Sequence, residues 1–167
     1  MKCQDCGNEN DSEVNFCKNC GASLKKSPSK EDVSITFEQV ETLFNYLRTG
    51  ENDQFFDHVT DDVDWTVMGT HPLAGTYHSK QDFVSSTFNR LNRILKEDAV
   101  FKVNNIIVKE DTAVVEMESL STALNGMLFN NTYCWVVRFK NDLIVEVRAY
   151  VDSALVQMVI DANEKLG

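Results

Sequence analysis

Apolar positions recur along this chain with two periods, a helical one in its middle and an alternating one towards its C-terminal part. Phe37, Val40, Leu43, Phe44 and Leu47 share one face at a spacing of three to four residues, which predicts an amphipathic helix. Thr36 and Gln39 have the spacing of a capping box, Ile35 and Val40 that of a hydrophobic staple, and Gly50 supplies the stop. Asn52 is placed to cap a short second helix carrying Phe55, Phe56 and Val59. A first strand is expected over Val63 to Met68, with Trp65 in it, and Gly69-Thr70-His71-Pro72 with Gly75 reads as a loop. Phe83, Val84, Phe88, Leu91, Ile94 and Leu95 then predict a third helix from about Ser79 to Leu95.

After that helix the period changes to two. Strands are expected over roughly 100–109, 112–123, 127–140 and 142–152, followed by a short terminal helix carrying Leu155, Val156, Val159 and Ile160. The clearest pair is the stretch from Asn131 to Asp152, where two runs rich in Val, Ile, Tyr, Trp and Phe flank Asn141-Asp142, a hairpin signal. Tyr133, Trp135, Val137 and Phe139 alternate with Thr132, Cys134, Val136 and Arg138 in its first arm. In its second arm Val145, Val147, Ala149 and Val151 alternate with Glu146, Arg148, Tyr150 and Asp152. Asn131 and Asn125-Gly126 are expected in turns, and Glu116 and Glu118 on a solvent face. Helices first and a strand meander afterwards give an α+β class: a curved antiparallel sheet with helices filling its concave side.

Residues 1–24 follow neither period. Cys3-x-x-Cys6-Gly7 and Cys17-x-x-Cys20-Gly21 are two copies of one pattern. A two-residue gap lets both sulfurs of a pair reach one ion, and the glycine permits the tight turn that aims backbone N–H groups at the thiolates. Four thiolates suit one tetrahedral structural zinc, whose binding of about 10–16 kcal/mol is the folding energy of so small a segment. The opening C-x-x-C-G-x-x-N, Phe16 before the second pair and the closing C-x-x-C-G-x-x-L resemble the compact zinc ribbons found at the ends of many prokaryotic proteins. That resemblance implies a four-Cys site made of Cys3, Cys6, Cys17 and Cys20. Cys134 stands alone in a strand and reads as a small buried residue. Residues 25–34, charged and containing Ser and Pro, read as a flexible linker, which leaves 35–167 as the second domain.

With 167 residues, 43% apolar and 10% aromatic, the chain has room for such a core. Its net charge of -10 argues against nucleic-acid and anionic-membrane partners, which need basic surface. No apolar leader core is visible at Met1-Lys2-Cys3, and no run reaches the ~18 apolar residues of a membrane span. The expectation is a soluble, cytoplasmic protein, a reducing setting in which paired cysteines hold metal.

Residues 35 to 160 resemble the NTF2-like cone fold, and within it the bacterial SnoaL-like branch. The carrying residues are D-D-V-D-W at 61–65, H-P-L-A-G-T-Y-H-S-K at 71–80 and F-K-N-D-L-I-V-E-V-R-A-Y-V-D at 139–152. The resemblance implies a cone-shaped pocket between helices and sheet, frequent dimerisation through the sheet, and functions from isomerase, cyclase and epoxide hydrolase to non-catalytic binding. Val67 and Thr42 stand where ketosteroid isomerases carry their base and phenol, so that activity is not carried over.

Asp152 matches the acid/base carboxylate of a SnoaL-like cyclase, with Arg148 and Tyr150 on the same strand face. The expectation is that this polar face looks into the cavity, although Val145, Val147, Ala149 and Val151 would fit there on hydrophobicity. Asp152 is equally placed to pair with Arg148 or to cap the terminal helix. Trp65, His71, Tyr77, Phe88, Tyr133 and Tyr150 are the expected pocket lining for a small, mostly apolar ligand. The first reading is a ligand-binding module that carries a zinc-ribbon interaction module. An isomerase, cyclase or epoxide hydrolase working through Asp152 is the alternative. A third is an adaptor whose ribbon binds a protein while the cone forms a homodimer.

Overall fold

The computed structural model describes residues 2–3, 5–11, 14, 16–22, 24 and 34–164. The chain divides into two compact units, Met1–Asp32 and Val33–Gly167. Of the expected linker over 25–34, only Ser34 lies among the described residues.

In the first unit two short turns repeat one geometry. The N–H of Cys3 donates to the carbonyl of Asn8 (2.8 Å) and that of Gly7 to Cys3 (2.9 Å); Cys17 donates to Ala22 (2.7 Å) and Gly21 to Cys17 (2.9 Å). Each turn needs a left-handed residue after its second cysteine, and Gly7 and Gly21 both have φ of 74°.

The second unit opens with α1 (Phe37–Thr49), fixed at both ends as its sequence predicts. The Thr36 hydroxyl accepts from the N–H of Gln39 (3.2 Å), and the Gln39 side chain accepts from the N–H of Thr36 (2.9 Å). Gly50 closes the helix in the left-handed conformation. The remaining elements are α2 (Asn52–Phe56), β1 (Val59–Val67), β2 (Gly75–Tyr77), α3 (Lys80–Ser86), α4 (Phe88–Asn92), β3 (Val100–Lys109), β4 (Thr112–Leu120), β5 (Thr132–Lys140), β6 (Leu143–Val151) and α5 (Ser153–Asn163). Six strands form one sheet in the order β2-β1-β6-β5-β4-β3. It is mixed rather than wholly antiparallel, because β1 runs parallel to β6 in the middle of the sheet. Bulges at Val103/Asn105 and at Arg138/Phe139 bend the strands that curve around the helices.

Several expectations are corrected. Val59 begins β1 instead of ending the second helix, since its carbonyl and that of Phe56 are held by the Lys80 ammonium at 3.0 and 3.3 Å. Glu51, not Asn52, stands at the cap position of α2. The third helix breaks in two at Thr87, whose hydroxyl donates to the carbonyl of Phe83 (2.7 Å) and whose backbone leaves the helical region (φ -120°, ψ -75°). The strands expected over 112–123 and 127–140 end at Leu120 and begin at Thr132, with the isolated Thr122–Leu128 bridge and a few backbone hydrogen bonds between them. Asn141 and Asp142 turn the β5–β6 hairpin as predicted, both with positive φ (51° and 62°), the pairing that matches strand twist.

The core is aromatic. Trp65 stacks on Phe83 (3.9 Å between centroids, 15°) and meets Trp135 edge to face (5.1 Å, 86°). Trp135 in turn contacts Phe44 at 6.1 Å, Phe55 at 6.2 Å and Phe101 at 6.2 Å. Val115, Met117, Val137 and Val147 extend this layer along the concave face of the sheet. The convex face is mixed: Ile107, Leu120 and Tyr150 are exposed there, among the ion pairs Lys102–Glu118 and Arg138–Glu146–Arg148.

Candidate functional site

Under the helices lies an apolar cavity of about 60 Å³, the volume that the centre of a water molecule could visit. Its walls come from β1 (Trp65, Val67), the following loop (His71, Leu73), the short helices α3 and α4 (Phe83, Phe88, Leu91), and the inward face of β5 and β6 (Tyr133, Trp135, Ala149, Val151). Strand alternation explains the last group: residues 133, 135, 149 and 151 share one face, and the register pairs Tyr133 with Val151 and Trp135 with Ala149.

Four of the six expected lining residues, Trp65, His71, Phe88 and Tyr133, do line this cavity. Tyr77 sits behind it, its ring edge to face with Phe83 at 5.7 Å and its hydroxyl donating to the carbonyl of Leu73 at 3.0 Å. Tyr150 does not reach it, lying on the convex side and 46% exposed. Trp135, Phe83 and Phe101 also line the wall without having been singled out; for Trp135 the signal was its alternation partner Tyr133.

The expectation that Arg148, Tyr150 and Asp152 look inward is corrected. The hydrophobic set Val147, Ala149 and Val151 takes that face, because it removes more apolar surface from water than the polar set would. Arg148 donates to Glu146 (2.5 Å) on the convex face. Asp152 is the N-cap of α5, its carboxylate accepting from the N–H groups of Ala154 (3.1 Å) and Leu155 (3.2 Å). Asp152→Ala should therefore cost about 0.5–2 kcal/mol, and Asp152→Asn much less, because Asn caps equally well. Urea denaturation of the two variants reads the difference, and equal losses would contradict the cap.

Asn131, expected in a turn, is fully buried at the start of β5. Its amide oxygen accepts from the N–H of Asp152 (3.0 Å), and its own N–H donates to the Ser119 hydroxyl (3.1 Å), so that it ties three strands at the cavity's end.

Two titratable groups belong to the cavity. The imidazole of His71 is buried, which pushes its pKa below the usual histidine value, while the carbonyl of Met68 acts in the opposite direction. Nδ1 accepts from the N–H of Leu73 (3.2 Å), so Nε2 carries the proton and donates to the carbonyl of Met68 (3.2 Å). The loop is tight here: Gly69 has φ of 121°, and a Cβ on it would lie 3.0 Å from the His71 ring and overlap the Ser153 hydroxyl. Because the folded state holds His71 neutral, its contribution to stability is complete above the ordinary value of 6.5 and is lost as pH falls from there through the depressed folded value. Melting curves at pH 7.5 and 5.5 should thus show a larger acid-side loss for the natural chain than for His71→Asn. Parallel losses would sink this assignment. Burial likewise pushes the phenol of half-buried Tyr133 up to about 12, against a smaller opposing effect of Ser119. It is a neutral donor at physiological pH.

In the first unit the four sulfurs of Cys3, Cys6, Cys17 and Cys20 lie within 4.8 Å of one another, with Cys3–Cys20 at 3.7 Å and Cys6–Cys17 at 3.5 Å. Tetrahedral zinc with bonds of ~2.3 Å needs sulfurs at about this separation. The N–H groups of Cys20 and Asn19 and the amide of Asn10 hold the Cys17 thiol down to about 6, which suits a thiolate ligand. The cluster fits one structural zinc, held by these four residues.

Residues 2–24 match the zinc-ribbon domain family, and residues 40–147 match the SnoaL-like domain family. Among curated proteins, the chain is 32% identical over 114 residues to the dimerizing cyclase phiC of a fungal species, covering 65% of this chain and 50% of that protein. It is 34% identical over 129 residues to the dimerizing cyclase tstC of Talaromyces stipitatus, covering 73% and 57%. The chain thus spans about half the length of these curated relatives. Among solved structures, an NTF2-like protein from Burkholderia thailandensis superposes with a TM-score of 0.64 at 22% identity, covering 74% of this chain and 95% of that one, which shows the shared fold. Among the described residues no helix is long and apolar enough to cross a membrane.

Proposed function

Because this chain belongs to the SnoaL-like domain family, we propose that its second unit is a cyclase-like enzyme acting on a small, mostly apolar substrate bound in the cavity beneath the helices. The observation that carries the reading is the similarity to two cyclases, at 32% and 34% identity, of a chain whose cone encloses an apolar cavity. Ring closure of a flexible molecule is limited chiefly by the rarity of its folded conformer. A dry, shaped cavity supplies that conformer and excludes water. Tyr133 can donate its phenol proton to a substrate oxygen that gains charge, and it does so as the neutral acid because burial holds it protonated. His71 supplies a neutral imidazole at the wall, and proton exchange by it requires one of its two backbone hydrogen bonds to open. Asp152 enters only as the cap of α5, and Arg148 only through its ion pair with Glu146. Drug-sized ligands occupy about 300–1,000 Å³, so substrate entry must displace wall residues. Half-buried Phe88 and Leu91 on the short α4 are the first to consider.

The test is product formation. A panel of flexible apolar dicarbonyl compounds is incubated with the zinc-loaded chain and analysed by liquid chromatography and mass spectrometry. The expected result is an isomer of a panel member, or that isomer less one water, formed by the natural chain and strongly reduced in Tyr133→Phe. Retention of a panel member without conversion in any variant would favour the second reading, a binding module without turnover. That reading draws support from one observation: both nitrogens of His71 are already engaged by the backbone.

A further inference from the structure

We propose that the indole N–H groups of Trp65 and Trp135 form a donor pair that recognises a neutral carbonyl oxygen on the cavity's ligand. The inference rests on the cavity being the ligand site, and goes further by naming the group the ligand must carry. Both tryptophans line the cavity, and they are 0% and 2% exposed. Among the described residues, Nε1 of each is buried without a hydrogen-bond acceptor.

A buried donor left unmade costs about 1–3 kcal/mol, and the great majority of buried polar groups in folded proteins have partners. Were these positions only filling space, phenylalanine would stack and pack there without that penalty, as Phe83 and Phe101 do in the same wall. The two rings cross at 86° with centroids 5.1 Å apart, and neither can accept from the other through nitrogen, because an indole nitrogen's lone pair belongs to its aromatic system. An N–H pointing at a ring face is worth at most ~0.5–1 kcal/mol, less than a carbonyl acceptor provides.

The class of acceptor follows from the rest of the wall. Among the described residues, no lysine or arginine lines the cavity. A carboxylate or phosphate would therefore bring an unpaired charge into an apolar site, which costs several kcal/mol. A ketone, ester or lactone oxygen accepts from one or both indoles without that cost. Tyr133, on the same strand as Trp135 and two residues before it, and Asn92 also bear donor groups within this wall, whereas those of His71 and Thr87 are engaged by backbone carbonyls.

The chain contains two tryptophans in all, so both indole N–H signals in a nitrogen-15 correlation spectrum report on this cavity. The full-length, zinc-loaded chain is titrated with cyclopentanone and, separately, with methylenecyclopentane, which has the same shape but a CH₂ in place of the oxygen. The expected result is a saturable downfield shift of at least one indole signal with the ketone and no comparable shift with the hydrocarbon. Trp65→Phe or Trp135→Phe, whichever removes the shifting signal, should weaken ketone binding about five- to tenfold more than it changes hydrocarbon binding. If a Phe variant melts too low to titrate, the two signals of the natural chain decide. Equal affinity for both probes with unmoved indole signals overturns the donor pair and leaves the cavity as a ligand site. Failure of both probes to bind overturns the donor pair and the cavity reading together.

Discussion

Stripping zinc with a chelator, or replacing Cys17 by Ser, is expected to unfold the N-terminal unit and to leave the melting of the sheet unit unchanged. Residues 2–24 have almost no apolar core: of the described ones, the buried residues are Cys3, Asn10 and Cys17, two of them ligands. Nothing but the metal can then offset the entropy of ordering this segment, and ~10–16 kcal/mol of binding does so with a margin. Cys17 is the ligand whose loss should matter most. Its sulfur accepts from the Asn10 amide (3.5 Å) and the Asn19 N–H (3.4 Å), so a smaller, harder oxygen there forfeits those contacts as well as the bond to the ion. Proton spectra should show collapse of the dispersed signals of Cys3 to Leu24 while those of the sheet persist. Metal analysis should fall from about one zinc per chain to well below it. A natural chain that keeps its dispersed ribbon signals after complete metal removal would refute the assignment.

Trp135→Ala should cost the second unit about 3–5 kcal/mol, the range for emptying a large aromatic site in a core. Against total stabilities of ~5–15 kcal/mol, that is a large share of what keeps the unit folded. The reason is position. Trp135 lies on a central strand and its ring meets those of Phe44, Phe55, Trp65, Phe101 and Tyr133, so its removal opens the contacts between α1, α2 and three strands at once. The cavity already at this point would merge with the new void, and the neighbours cannot collapse into both. Urea unfolding followed by far-ultraviolet circular dichroism gives the number. A loss under 1 kcal/mol would mean the aromatic cluster is not the mainstay it is taken for.

Much of the fold is legible where the chain uses short-range chemistry. Thr36 and Gln39 announce α1, Asn141-Asp142 announces the last hairpin, and the two Cys-x-x-Cys-Gly turns announce the metal site. What could not be read depends on partners distant in sequence. Val59 looks helical beside Phe55 and Phe56 until Ile144 pairs with it. Thr87 sits in an unbroken helical period, and only the hydroxyl bond to Phe83 reveals the break. The cavity-facing side of β6 was legible from Val147, Ala149 and Val151 by hydrophobicity. The family resemblance points to the opposite side, and the free energy of burying those three side chains outweighs it. Trp65, His71, Phe88 and Tyr133 could be named from sequence as aromatic or titratable groups, whereas the missing acceptors of the two indoles are visible only in three dimensions.

The parallel pairing of β1 with β6 also sets an order of events during synthesis. Thr66 pairs with Arg148 and Val67 with Ala149, so β1 waits for a neighbour made more than eighty residues later on the growing chain. At ~5–20 residues per second that interval lasts on the order of 4–16 s. Throughout it, Val63, Trp65 and Val67 have no sheet to join on that side. The zinc-binding turns are complete long before, so the nascent chain carries one finished unit and one open, apolar strand edge. That edge is where chaperones would bind the growing chain, and where two copies translated close together would pair wrongly.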